Sequence, residues 1–133
     1  MAGTNSDYTE NKLVDTLLRN GAAYQPAALY LALFTTNPNF ETGSGGTEAT
    51  GGSYVRKVIA FDVASGGASA NSGSIVWTVG TDVAAQTMTG FAVYDASTGG
   101  NMLFGDAFGS SKVLTSTGDT LTFAIGSVTY SLT

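Results

Sequence analysis

From residue 28 onward the chain is a succession of short apolar segments that alternate with period two, cut at intervals of about 8 to 12 residues by clusters of Gly, Ser, Thr and Asp. Successive side chains of a strand point to opposite faces, so this pattern builds half-buried strands joined by tight turns. The segments are "ALYLALF" at 28–34, "YVRKVIAFDV" at 54–63 and "SIVWTV" at 74–79, then "QTMTGFAVYD", "NMLFGDAF", "SKVLTS", "DTLTFAIG" and "SVTYSLT". The separators "ASTGG", "GSS", "STGD" and "GS" supply Gly for positive φ, or Ser and Asp for local backbone bonds. The expectation is a mainly β protein: an antiparallel β-sandwich or jelly roll of seven or eight strands, one domain over residues 1–133, with one N-terminal amphipathic helix.

That helix is predicted over residues 7–21, where Leu13, Val14, Leu17 and Leu18 recur at spacings of three and four and make one apolar stripe. Ser6 or Asp7 can cap its start, and Gly21 can close its end with positive φ. "ALYLALF" is apolar on both faces, which predicts a central strand covered on one side by the other sheet and on the other by the docked helix. Further along, Val55, Ile59 and Phe61 are assigned to one face, Ile75, Trp77 and Val79 to the core, and Tyr130 to a face shared with Val128 and Leu132. Residues 35–53, "TTNPNFETGSGGTEATGGS", have no periodicity and exceed the usual connection length, so they read as a long mobile loop or arm.

Composition removes several chemistries at once. The 133 residues include no His and no Cys, which excludes imidazole bases, thiolate nucleophiles, disulfides and His/Cys zinc sites. Charged residues make up only 11% of the chain, against about 25% in an average domain, so the surface is weakly charged and rich in Ser, Thr and Gly. The net charge is −5, and Lys12, Arg19, Arg56, Lys57 and Lys112 are scattered, so the concentrated basic patch that a nucleic acid requires is missing. No apolar run approaches the roughly 18 residues of a membrane-spanning helix. The start "MAGTNSDYTENK" lacks the pattern of a secretory signal, which points to synthesis in a cytoplasm.

Three local patterns invite a functional reading. In "FAVYDASTGGNMLFGDAF", counting Asp95 as position one of a calcium loop puts Ser97, Gly99, Asn101, Leu103 and Asp106 at the ligand positions and Gly100 at the turn. Position five then lacks an oxygen-bearing side chain and the flanks alternate like strands, so the stretch reads as a hairpin whose turn Asp95 closes by accepting from nearby N–H groups. Trp77 could offer a sugar-stacking face, but it keeps phase with Ile75 and Val79 and belongs to the core. Arg56 and Lys57 are neighbours on a strand. One of them should face outward, either to pair with a carboxylate of a neighbouring subunit or to guard an edge strand as a solvated charge. No nucleophile–base or phosphate-loop motif occurs, and no carboxylate pair can be named among Glu41, Glu48, Asp62 and Asp119, so neither an enzyme nor a cofactor is expected.

The order of segments carries a resemblance. "LYLALFTTNPNFETGSGGTEATGGSYVRKVIAF", "NSGSIVWTV", "MTGFAVYDASTGGNMLFGDAF" and "STGDTLTFAIGSVTYSL" together resemble a family of small bacteriophage virion structural proteins, often labelled tail-fibre-like. The resemblance spans about Glu10 to Leu132 and implies a virion protein with a β-sandwich core and no catalytic residues. A single compact domain without a collagen-like, coiled-coil or β-helical repeat favours capsid decoration, a cement protein on the head lattice, over a tail or tail-fibre part in host adsorption. The expected partners are copies of the chain itself, as a homo-oligomer, and the major capsid protein, or alternatively other tail proteins or a host glycan. Asn39, Phe40, Glu41, Glu48, Arg56 and Lys57, in and just after the loop, are the candidate partner-contact residues.

Overall fold

The computed structural model describes residues 3–132. In chain order its elements are β1 (Thr4–Asn5), α1 (Asp7–Leu18), β2 (Leu29–Thr36), β3 (Thr47–Glu48), β4 (Lys57–Ile59), β5 (Ala68–Ala70), β6 (Ile75–Thr78), β7 (Gln86–Tyr94), β8 (Met102–Leu114), β9 (Thr120–Phe123) and β10 (Thr129–Ser131). Six strands form one sheet in the order β1-β8-β7-β2-β3, with β4 also on β2, while β10-β5 and β6-β9 form two ribbons. All these pairings are antiparallel. The architecture is sandwich-like, but two ribbons stand where a jelly roll would have a second continuous sheet.

The alternation read from the sequence sets the core. Leu31 and Leu33 of β2 and Phe91 and Val93 of β7 face the ribbons, where they meet Ile75 and Trp77 of β6, Phe123 of β9, and Val128. Trp77 is fully buried, edge-on to Phe123 at 6.0 Å between ring centroids, and Phe123 stands edge-on to Phe91 at 5.7 Å. Large side chains buried this fully contribute about 1.5–3 kcal/mol each. β2 is central as expected, with Leu31, Ala32, Leu33 and Phe34 all buried.

The cover on the second face of β2 is not the helix. Ala32, Phe34, Ala92, Tyr94 and Met102 pack there against Phe40, which comes from the long loop. The sheet is recessed at this point by small residues. A Cβ on Gly105 would lie 2.7 Å from Cδ1 of Phe40, and one on Gly90 would collide with the side chain of Asn37. The loop is therefore a fitted pad rather than a mobile arm. Asn39 bonds to Ser44 through its N–H (2.9 Å), its side-chain oxygen accepts from the N–H groups of Glu41 and Thr42, and the Ala49 N–H donates to the Leu33 carbonyl (2.8 Å).

Other expectations are also corrected. The helix stops at Leu18, and the residue with positive φ after it is Asn20 (φ 53°) rather than Gly21, a conformation Asn tolerates through its short polar side chain. "NMLFGDAF" and "SKVLTS" are one strand, β8: Gly90 pairs with Ala107 and Met88 with Lys112, so residues 108–111 bulge opposite Thr89 instead of turning. The strand predicted over 54–63 shrinks to β4, and Val55 is exposed because its carbonyl, not its side chain, faces inward to accept from Nε1 of Trp77 at 3.4 Å. The Gly/Ser stretch before β6 contains β5, held to β10.

Candidate attachment surface

α1 is fastened by hydroxyl groups at its first turn. Ser6 caps it, accepting from the Thr9 N–H (3.3 Å) while its own hydroxyl donates to the Met102 carbonyl (2.6 Å), and the Thr9 hydroxyl donates to the Leu103 carbonyl (2.8 Å). The Asp7 N–H reaches the Glu41 carbonyl (2.7 Å), which ties the helix to the loop. These bonds anchor the Thr9 flank of the helix, which borders the stripe at Leu13, and the docking expected of Leu13, Val14, Leu17 and Leu18 does not occur. Leu17 is 82% exposed and Leu18 75% exposed.

The stripe instead lines a groove of about 810 Å³, bounded on its other side by Gly3, Asn5, Ser131 and Leu132 and carrying Glu10 as its one charged lining residue among the described residues. Oδ1 of Asn5 is buried there without a hydrogen-bond partner. Leu13 also lines a second, more apolar cleft of about 380 Å³ along the Thr9 flank of the helix, with Tyr24, Phe61, Phe104 and Tyr130. No sequence signal separated a stripe that docks from one that stays bare, because both have the same period.

Arg56 and Lys57, adjacent in sequence, both turn into the molecule. The Arg56 guanidinium pairs with Glu48 through Nε–Oε1 and Nη2–Oε2, each 2.9 Å, and its Nη1 donates to the carbonyls of Ala96 (3.0 Å) and Gly99 (2.8 Å). It lies 3.6 Å above the centroid of the Tyr94 ring. Tyr54 extends the network, donating its hydroxyl to Glu48 (2.9 Å) and accepting from the Leu33 N–H (3.0 Å). Burial works against the Arg56 charge, but the Glu48 carboxylate outweighs it and holds the guanidinium above its ordinary value. Lys57 reaches Asp82 (3.1 Å) and the Val76 carbonyl (2.6 Å). Arg56 is thus neither a solvated edge guard nor a free hand for a neighbour.

The remaining candidates divide. Phe40 and Glu48 are committed internally, whereas Asn39 and the side chain of Glu41 lie on the surface. Asp95 closes the 95–101 turn, accepting from the N–H of Asn101 (2.7 Å), from its side-chain amide (2.9 Å) and from the Tyr24 hydroxyl (2.6 Å). Burial pushes the Asp95 carboxyl up, yet these bonds outweigh it and hold the group below the ordinary carboxylate range. Asp106 pairs with Phe91 on the strand, away from that turn. Asp119 accepts from the N–H groups of Thr115 and Ser116, both at 3.0 Å, and Asp82 from that of Thr78 at 2.9 Å. Among the described residues no group of three or more acidic side chains is arranged to hold a metal.

Carboxylates spent on turns, an internal arginine clamp and a bare apolar groove are the features of a structural module. The family described as Gp80, podophage GP4 fiber I protein gp80, matches residues 4–131, so the chain belongs to that family and is a bacteriophage virion structural protein of the tail-fibre-like kind. A search of the curated proteins finds no match. The fibre description fits the tail alternative better than the capsid-decoration reading drawn from the sequence.

Proposed function

We propose that the chain is a tail-fibre module that serves host adsorption and is held in the particle by protein–protein contact. The observation that carries this reading is family membership over residues 4–131, nearly the whole chain, in a family described by a fibre protein. The use of Glu48, Asp82, Asp95 and Asp119 as clamps and caps supports it, since each is occupied with local bonds rather than paired across a cleft. The absence of a shaft repeat, which weighed toward the head, is equally what a compact unit at the base or tip of a fibre would show. The test is gold-labelled antibody against the chain on intact particles, together with the adsorption rate of antibody-treated phage. Label confined to the tail with slowed adsorption is expected; label spread over the head shell with unchanged adsorption overturns the proposal.

A further inference from the structure

The groove between α1 and β10 has the composition of an interface whose other half is missing. On a helical wheel of 100° per residue, Glu10 falls within the arc spanned by Leu13, Val14, Leu17 and Leu18, one turn toward the helix start. The surface is therefore a run of exposed apolar side chains with a carboxylate at one end, continued across the groove by Leu132, which is half exposed. Exposed apolar patches rimmed by polar groups mark interaction sites, and a groove beside a helix fits an amphipathic segment.

The charges on the molecule choose between occupants. An incoming segment must bring a cation to Glu10, or it buries a carboxylate unpaired at a cost of several kcal/mol. A second copy of the chain is poorly supplied among the described residues: Arg56 pairs with Glu48 and Lys57 with Asp82, Lys12 sits over the rings of Tyr8 and Tyr24, and Arg19, in an exposed pair with Asp15, follows the helix on the side turned away from Glu10. Lys112 pairs with Met88 and Phe104, the partner of Asn5 in β1, pairs with Val93, so the five-residue step along β7 puts about 17 Å of sheet between Lys112 and the Asn5 position. Two helices packed stripe to stripe would bring Glu10 and its copy into the contact with no such cation at hand among the described residues, on molecules that each carry a net charge of −5.

We infer that the α1–β10 groove docks an amphipathic helix of a different virion protein, which lays an apolar face on Leu13, Val14, Leu17, Leu18 and Leu132 and presents a Lys or Arg to Glu10. The inference rests on the chain being a virion component, but not on where in the particle it sits. Location is read by labelling and coverage by chemistry, so the two readings fail separately.

The chain has no cysteine, so Leu17→Cys introduces a single thiol at an exposed site that touches little else. Phage carrying L17C is treated with a maleimide, intact and after dissociation. The thiol is expected to react in the isolated protein and to be protected in the particle; equal reaction in both shows a bare face and overturns the inference. A bifunctional maleimide distinguishes the occupant. Linkage between two copies of this chain shows self-docking and overturns it too. Particles assembled without the chain supply a second readout: purified wild-type protein should rebind, Leu17→Glu with Leu18→Glu should lose rebinding while keeping the wild-type melting temperature, and Glu10→Lys should weaken it. Wild-type rebinding by the double variant refutes the docking site.

Discussion

Arg56→Ala tests how far the second face of the sheet depends on one side chain. The Arg56 side chain is 8% exposed. Removing it deletes a bidentate pair to Glu48, two bonds to the carbonyls of the 95–100 turn and the cover over Tyr94. Breaking a buried pair by truncating one partner costs about 3–5 kcal/mol. Glu48 keeps some solvent contact, at 27% exposure, and can rehydrate, so the lower end applies, about 3 kcal/mol. For a domain of this size that lowers the melting temperature by about 10 °C. Arg56→Lys should recover only part of the loss, because one ammonium cannot hold a carboxylate by two bonds and two carbonyls together. Urea unfolding followed by fluorescence of Trp77, the single tryptophan and fully buried, gives the free energies directly. A cycle with Glu48→Ala should show coupling of about 2 kcal/mol that persists in high salt. A loss below about 1 kcal/mol, the range of an exposed ion pair, would refute the clamp.

Asn71 is fully buried, donating to the carbonyls of Gly73 and Ala124 and accepting from the Val128 N–H, so Asn71→Ala should cost about 3 kcal/mol in the same urea assay. Phe40→Ala empties the recess at Gly105, and its half-buried ring predicts a loss of about 2 kcal/mol by calorimetry. Asp95, held below its ordinary value when folded, stabilises the protein fully above the unfolded carboxylate value of about 4, and that contribution is lost as the pH falls through the lower folded value. The gap in melting temperature between wild type and Asp95→Asn should therefore be widest near neutrality and close in acid; a constant gap contradicts the bonding described. Replacing residues 41–52 with a short Gly/Ser linker removes Glu48 and the Ala49 bond to Leu33, so it should lower the melting temperature markedly rather than leave it unchanged.

Period two in β2, β6 and β7 was legible because each strand buries one face against large residues, and Leu31, Leu33, Trp77 and Phe91 stand where alternation places them. The hairpin at Asp95 was legible for a different reason: a short carboxylate before a glycine turn has its acceptor bonds nearby in sequence. The role of residues 35–53 was not, since a pad is recognised by what it fits, and Gly90 and Gly105, which make the recess, lie far along the chain. Arg56 misled for the same reason, because Glu48 and the carbonyls of Ala96 and Gly99 meet it only in the folded sheet. The helical stripe gave the right period and the wrong destination. Hydroxyl bonds from Ser6 and Thr9 to β8 fix how the helix is mounted, and nothing in the spacing of Leu13, Val14, Leu17 and Leu18 reports them.

If the chain is a fibre component of the virion tail, electron cryomicroscopy of intact particles should find it there. Density matching the six-stranded sheet and its two ribbons, at a few copies confined to the tail, is the predicted result. The same density repeated across the head lattice and absent from the tail would contradict it.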